Sequence, residues 1–207
     1  MSRRRIVLAS GNAGKLREFS ALFGAAAAVA PGRAPVDIVP QGDLGIGAAD
    51  EPHSTFVENA LAKARHAASS AGLPALADDS GLCVDALGGG PGVLSARFAG
   101  EPADDERNNM ELLRRLAGVT QRAAHYVCVL VALRTADDPE PLIADARWYG
   151  EIRQAPRGQG GFGYDALFDV AGLGVTAAEL DPDHKNRISH RALALASLAP
   201  KLAEWRW

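Results

Sequence analysis

An apolar run that ends in two adjacent carboxylates constrains this chain more than any other stretch. Leu73-Pro74-Ala75-Leu76-Ala77 leads directly into Asp78-Asp79-Ser80-Gly81. The approach reads as a short buried strand, and the acid, acid, hydroxyl, glycine order as a turn at its carboxyl end. In open α/β sheets, ligands collect outside the carboxyl ends of strands. Successive residues of an extended segment point to opposite faces, so Asp78 and Asp79 are expected to differ in role. One would face a site while the other ties down the turn. A solvated Asp-Asp-Ser-Gly surface turn fits the same letters, and the stretch alone leaves both readings open.

The beginning of the chain also has a strand running into a special loop. Arg5 to Ala9 is β-rich, and Ser10-Gly11-Asn12-Ala13-Gly14-Lys15 follows at once. Leu16, Phe19, Leu22 and Phe23 then recur at helical spacing until Gly24, where the helix is expected to stop. A strand, glycine loop and helix in this order aim free N–H groups and the positive helix end at one point, which suits a phosphate. A P-loop is disfavoured: only Asn12 and Ala13 separate Gly11 from Gly14, and Leu16 rather than Ser or Thr follows the lysine. A tight strand-to-helix turn whose glycines merely permit φ > 0 is the competing reading.

Downstream, Ala25 to Pro35 reads as a helix end and loop, and Val36-Asp37-Ile38-Val39 as a second strand ending at Pro40. Gln41 to His53 is a polar, glycine-rich connection carrying Asp43, Asp50 and Glu51, and long connections in compact domains are often functional. Thr55 and Glu58 have capping-box spacing at the start of a helix running to about Ser70. On that helix, Asn59 and Lys63 form either a solvated face or one polar edge of a site. Leu82 to Leu87 reads as a further strand, Glu101 to Ala117 as a helix, and Ala123 to Arg134 with Leu142 to Arg153 as an antiparallel hairpin. The order predicts an α/β sheet with antiparallel elements.

Two later stretches are chemically unusual. Gly158-Gln159-Gly160-Gly161-Phe162-Gly163-Tyr164-Asp165 sets four glycines around two aromatics and an acid. Such a loop lets backbone approach a ligand while an aromatic stacks a base, although a β-bulge with core aromatics matches it too. Lys185, Asn186, Arg187, His190 and Arg191 crowd ahead of the last helix, where cations oppose the helix dipole. That points to an anionic or acceptor-rich ligand.

Composition narrows the partners. With 207 residues and a formal net charge of −3, the chain offers no electrostatic reason to expect nucleic acid or an anionic membrane as a partner. No apolar run approaches a membrane span, and Ile6-Val7-Leu8-Ala9 is too short for a signal-peptide core. Cys83 and Cys128 lack metal-ligand spacing and fit free thiols in a reducing cytoplasm.

Taken together, Ser10 to Lys15, Thr55-Phe56-Val57-Glu58-Asn59-Ala60, Ala77 to Gly81, Gly161 to Asp165, and Lys185 with Ser189-His190-Arg191 resemble the Ham1 family of inosine triphosphate pyrophosphatases. The resemblance runs along nearly the whole chain and implies one pyrophosphatase domain over residues 1–207. It implies a mixed, largely elongated α/β sheet flanked by helices, with two lobes and a central substrate cleft. The implied reaction is Mg²⁺-dependent hydrolysis of ITP, dITP and XTP to the monophosphate and pyrophosphate, by a homodimer. On the family pattern, Ser10, Gly11, Asn12, Ala13, Gly14 and Lys15 cradle the phosphates. Asp79 is general base and metal ligand, and Ser80 touches substrate. Phe162, Gly163, Tyr164, Asp165, Lys185, His190 and Arg191 hold the nucleotide.

Mg²⁺ takes one or two carboxylates and completes its shell with water and phosphate oxygens, a requirement Asp79 with Glu58 would meet. Asp50 stands where bacterial relatives often carry a glutamate, which leaves its place as a further ligand open. A Mg²⁺-activated water with Asp79 as base would attack the α-phosphorus. Hypoxanthine and xanthine show acceptors at O6 and N7, which an arginine fork matches. Arg191 with His190 is therefore expected to read that edge while Phe162 or Tyr164 stacks. A Maf-like pyrophosphatase for modified pyrimidines and a nucleotide-binding protein without turnover are the competing readings.

Overall fold

The computed structural model describes residues 4–29 and 36–205. Its strands are β1 (Arg4–Ala9), β2 (Val36–Pro40), β3 (Ala75–Val84), β4 (Ala123–Leu133), β5 (Leu142–Ile152) and β6 (Phe168–Val170). The α-helices are α1 (Ala13–Val29), α2 (Phe56–Ala71), α3 (Asp105–Arg115), α4 (Pro182–Ile188) and α5 (His190–Glu204). The strands form one mixed sheet in the order β2-β1-β3-β4-β5-β6, so the expected α/β class with antiparallel elements holds. β1 lies parallel to both β2 and β3, whereas β5 and β6 run antiparallel with Gly150 opposite Val170.

The chain divides into two compact units, the first Met1–Asp79, Val129–Asp145 and Arg191–Trp207, the second Ser80–Cys128 and Ala146–His190. In the first, Ile6, Val7, Leu8 and Ala9 of β1 and Ala75, Leu76 and Ala77 of β3 are all buried. Consecutive buried apolar residues mark parallel strands covered on both faces. α2 packs on β1 and buries Ala60, Ala64, Ala67 and Ala68, one stripe at helical spacing made of very small side chains. The second unit is built on larger groups. Tyr126, Trp148 and Phe168 pack with ring centroids 4.8 Å apart for Tyr126–Phe168 and 5.3 Å for Trp148–Phe168. Leu82, Leu112, Leu116 and Leu167 belong to the same buried cluster.

The structure departs from the sequence reading at three places. No turn occurs at Asp78 to Gly81 and no separate strand at Leu82 to Leu87: β3 continues unbroken through both carboxylates to Val84, and a 3₁₀ turn, Asp85–Leu87, follows. Gly81 serves packing instead, because a Cβ there would collide with the Gly92 carbonyl and the Ser95 hydroxyl. α1 runs past Gly24 to Val29, as the alanines after it favour helix strongly enough to absorb one glycine. The end of the expected Ala25 to Pro35 loop, residues 30–35, lies outside the described residues. α3 is shorter than Glu101 to Ala117 because Asp104 caps it, accepting the Arg107 N–H at 2.8 Å. No helix among the described residues is long and apolar enough to cross a membrane.

The loop joining β4 to β5 is closed by Asp138. Its buried carboxylate accepts the Arg134 N–H at 2.9 Å, the Glu140 N–H at 3.0 Å and the Arg134 guanidinium at 2.6 and 2.8 Å. Those bonds, the Arg134 side chain first, hold the carboxyl well below the usual range. A depressed carboxyl stabilises above its unfolded value, and the benefit disappears as pH falls through the folded one. Asp138→Asn should therefore lower the melting temperature at pH 7 and flatten its decline below about pH 4, measured by thermal melts across pH. Phe168→Ala, which empties the centre of the aromatic cluster, should cost about 3–5 kcal/mol in urea unfolding.

Candidate active site

The register of two parallel strands brings the first glycine loop to the acid pair. Ala9 of β1 pairs with Ala77 of β3, so Ser10 and Gly11 leave β1 beside Asp78 and Asp79. Asn12 ends the loop as the cap of α1, its Oδ1 accepting the Lys15 N–H at 3.0 Å, while Ser10 Oγ accepts the Asn12 N–H at 3.3 Å. Gly11, Asn12 and Ala13 are exposed, and Gly14 is buried in the first turn of α1. The first turn of a helix carries N–H groups with no intrahelical partner, the ordinary basis of an anion site. Lys15 turns its ammonium onto Asp78, Nζ to Oδ2 2.9 Å.

The two neighbouring carboxylates take different partners, as alternation along a strand requires. Asp78 meets Lys15 of α1 and, at 3.8 Å, the Arg191 guanidinium of α5. Burial pushes its carboxyl up, but Lys15, Arg191 and Lys63 together hold it down at about 2. Asp79 meets α2 instead: Oδ1 accepts from Lys63 Nζ at 2.8 Å and Oδ2 from Asn59 at 3.4 Å. Burial raises its carboxyl above the usual value, more than the Lys63 ammonium pulls it back. Burial also opposes the charge on Lys63, but Asp79 and then Asp78 outweigh it and raise the ammonium above its usual value. One acid is locked as an anion. Its neighbour is shifted the opposite way.

Lys63 also gathers a third acid: its Nζ lies 2.5 Å from Glu51 Oε1. Asn59 holds the connection that carries Glu51, accepting the His53 N–H at 3.0 Å and donating to the His53 carbonyl at 3.1 Å. Asn59 and Lys63 thus form one polar edge around Asp79 rather than a solvated face. Asp50 is exposed, and Glu58 is exposed and hydrogen-bonded to the Thr55 hydroxyl as a capping partner. Of these acids, Glu51 is the one that shares a cation with Asp79. No group of three or more His, Cys, Asp or Glu among the described residues is arranged to hold a metal. Two carboxylates, Asp79 and Glu51, nevertheless converge on one positive charge. That donor set suits Mg²⁺, which draws its other ligands from water and phosphate. Ser80, next along β3, is half-buried.

The second unit carries most of the remaining predicted residues. Asp165 is buried, accepts the Phe162 N–H at 2.9 Å and is paired with buried Lys185 at 2.6 Å. Lys185 Nζ also stands 5.1 Å from the centroid of the Phe162 ring. Gly163 takes φ +63°, a conformation that favours glycine, and Tyr164 donates its hydroxyl to the Ser95 carbonyl at 2.8 Å. His190 is buried and stacked on Tyr126, ring centroids 4.7 Å apart and 7° from parallel. Its neighbour Arg191 belongs to the first unit, where Nη1 reaches Glu18 of α1 at 2.7 Å. Sequence reasoning singles out neither Glu18 nor Glu51 as a site residue. Glu18 gives no local sign of a partner so distant in the chain, whereas the Asp50-Glu51 doublet does offer a signal.

The fold and this geometry define an α/β protein with a glycine-containing strand-to-helix loop set beside a pair of buried acids. The model of the Ham1 family matches residues 6–201. The chain is 61% identical over 208 aligned positions to the dITP/XTP pyrophosphatase of Burkholderia pseudomallei, covering 99% of this chain and 96% of that protein. It is 60% identical to the dITP/XTP pyrophosphatase of Ralstonia nicotianae, covering 96% of each. Among solved structures, a HAM1 protein from Coxiella burnetii superposes with a TM-score of 0.87 at 45% identity, over 98% of this chain and 100% of that one. The chain belongs to the Ham1 family.

The Asp78 arrangement makes a stability prediction independent of turnover. Asp78→Asn removes the carboxylate that faces Lys15 and Arg191 and should cost about 3 kcal/mol in urea unfolding. Asp50→Asn, on an exposed acid, should stay within about 0.5 kcal/mol of wild type in the same measurement.

Proposed function

We propose that this chain hydrolyses non-standard purine nucleoside triphosphates, ITP, dITP and XTP, to the monophosphate and pyrophosphate. The observation that carries the reading is the placement of Asp79. It is a buried carboxylate on β3, two residues after Ala77, which pairs with Ala9 at the end of β1, where the glycine loop leads into α1. The names of the relatives, dITP/XTP pyrophosphatases over nearly their full length, support the same substrates.

In this reading Ser10, Gly11, Asn12, Ala13, Gly14 and Lys15 bind the phosphates, with the first-turn N–H groups of α1 facing the anion. Asp79 orients a water and takes its proton as the oxygen attacks the α-phosphorus. The bond from the α-phosphorus to the bridging oxygen breaks, and pyrophosphate leaves with the electron pair. Asp78, fixed as an anion, keeps Lys15 and Arg191 in place. Phosphoryl transfer asks for positioning and charge neutralisation more than covalent chemistry, which this set of groups can supply. Asp79 and Glu51 would hold Mg²⁺; Asp50 and Glu58, the other acids expected to take part, are exposed. A bound divalent cation supplies neutralisation of the phosphate oxygens and a more acidic water.

Ser80 touches substrate, and Phe162, Gly163, Tyr164 and Asp165 with Lys185 and His190 receive the nucleoside. Arg191 acts on the phosphate side, because its guanidinium is engaged by Glu18 and Asp78. Residues 1–207 act as one functional domain, in a cytoplasmic homodimer on the family resemblance.

The test is a pyrophosphate-release panel over ITP, XTP, dITP, GTP, ATP and dUTP, with and without Mg²⁺. ITP, dITP and XTP should be preferred and require Mg²⁺. Asp79→Asn should lower kcat by at least about 100-fold while the melting curve stays cooperative. Equal rates on ITP and ATP, or a fully active Asp79→Asn, would sink the reading.

A further inference from the structure

The glycine–aromatic loop of the second unit is held from outside by α3. Asp105 Oδ2 accepts the Gly163 N–H at 2.7 Å, and Asn109 Nδ2 donates to the Gly163 carbonyl at 2.9 Å. The two side chains stand four residues apart, and that spacing places them on the same helix face. Gly163 lies in the left-handed region, which turns both its backbone groups away from any regular ladder. α3 therefore supplies, from two successive turns, the acceptor and the donor that this one residue needs.

The grip extends on either side. Tyr164 is fixed through its hydroxyl to the Ser95 carbonyl at 2.8 Å. The segment after Ser95 is itself tied to α3: Asn108 donates to the Ala96 carbonyl at 2.9 Å and accepts the Ala99 N–H at 2.8 Å. Phe162 precedes the gripped residue, and its own N–H is closed onto Asp165 at 2.9 Å. Both aromatic rings of the loop thus take their places beside a residue that α3 holds at both backbone groups. The hydrogen bonds that start α3 and tie down the preceding segment come from other side chains. The capping role belongs to Asp104, and the 96–99 segment to Asn108.

We propose that Asp105 and Asn109 are positioning residues for base recognition, fixing Phe162 and Tyr164 through the Gly163 backbone. The inference rests on the reading above that this loop receives the purine. Neither side chain touches the phosphates in that reading, so their loss acts on the base and leaves the triphosphate half alone.

The experiment uses the full-length protein with Mg²⁺ and the variants Asp105→Ala, Asn109→Ala, Asp105→Asn and Phe162→Ala. It measures ITP kinetics, competitive inhibition by IMP and by inorganic pyrophosphate, and melting temperature. Losing one charge-assisted or neutral hydrogen bond to the loop should raise KM for ITP by roughly tenfold in each alanine variant, with kcat within about threefold. IMP inhibition should weaken by a similar factor while pyrophosphate inhibition is unchanged. Asp105→Asn keeps an acceptor oxygen and should recover most of the KM. If both alanine variants keep the wild-type KM while Phe162→Ala raises it, the positioning role falls and the base-site reading stands. If Phe162→Ala itself leaves KM and IMP inhibition unchanged, the base-site reading fails and takes the inference with it. Equal weakening of IMP and pyrophosphate, with a lowered melting temperature, marks a general structural role and also overturns the proposal.

Discussion

The ion pair between Lys15 and Asp78 is the interaction on which the rest of the first unit depends. Asp78 is 1% exposed, and an unpaired carboxylate in such a place carries a desolvation cost of several kcal/mol. Lys15 at 2.9 Å and Arg191 at 3.8 Å offset that cost and hold the group ionised. β3 can therefore run straight through two adjacent acids instead of turning to solvent at the first. The start of α1 is tied to β3, which sets the glycine loop against the strand that bears Asp79. The nearby positive charge is also divided between two acids, so Asp79 is left with the weaker compensation and the higher carboxyl.

Irregular segments in both units are held by side chains that bond backbone N–H and C=O groups together. Asn59 does this for His53, with one side-chain amide bonding both backbone groups. Asn108 spans the Ala99 N–H and the Ala96 carbonyl, and Asp105 with Asn109 share the task at Gly163. An amide carries both an acceptor and two donors, which is why it suits segments that have left the sheet or helix ladder. Asn59 adds a third bond, to Asp79, so the connection carrying Glu51 and the strand carrying Asp79 share one anchor. The end of the long Gln41 to His53 connection is placed by this residue more than by its own turns.

Elements governed by local periodicity are legible in the sequence. The β1–loop–α1 unit, the α2 alanine stripe, the hairpin strands and the mixed α/β class all follow from patterns of 2 and 3.6 residues. What stays hidden depends on partners far along the chain. Asp78 to Gly81 has the composition of a turn, yet Lys15 and Lys63 keep the acids inside the strand, and Gly81 answers to the Gly92 carbonyl and Ser95. The same limit applies to the third acid. Thr55 and Glu58 sit three apart, so their mutual bond is a local event that spacing reveals, and Glu58 is engaged by it. Whether Asp50 or Glu51 turns toward Asp79 depends on the path of a loop, which no spacing reports.

The basic cluster at the junction of α4 and α5 is less odd than its sequence suggests: Lys185 and Arg187 sit in the last turn of α4, where cations suit the dipole, and His190 and Arg191 open α5. Cations at a helix start oppose its dipole, and the sequence by itself assigns the compensation to a ligand. The structure gives three of its members protein partners first: Lys185 has Asp165, His190 the Tyr126 ring, and Arg191 both Glu18 and Asp78. These partners split the cluster. Lys185 and His190 stand within the second unit, which carries the aromatic loop, whereas Arg191 stands with the acids of the first. An arginine held by two carboxylates is oriented but has less of its fork left for a base edge. On the proposed reading, purine choice then draws more on the loop around Phe162 and on whatever fixes that loop, which moves the question of selectivity from α5 to α3.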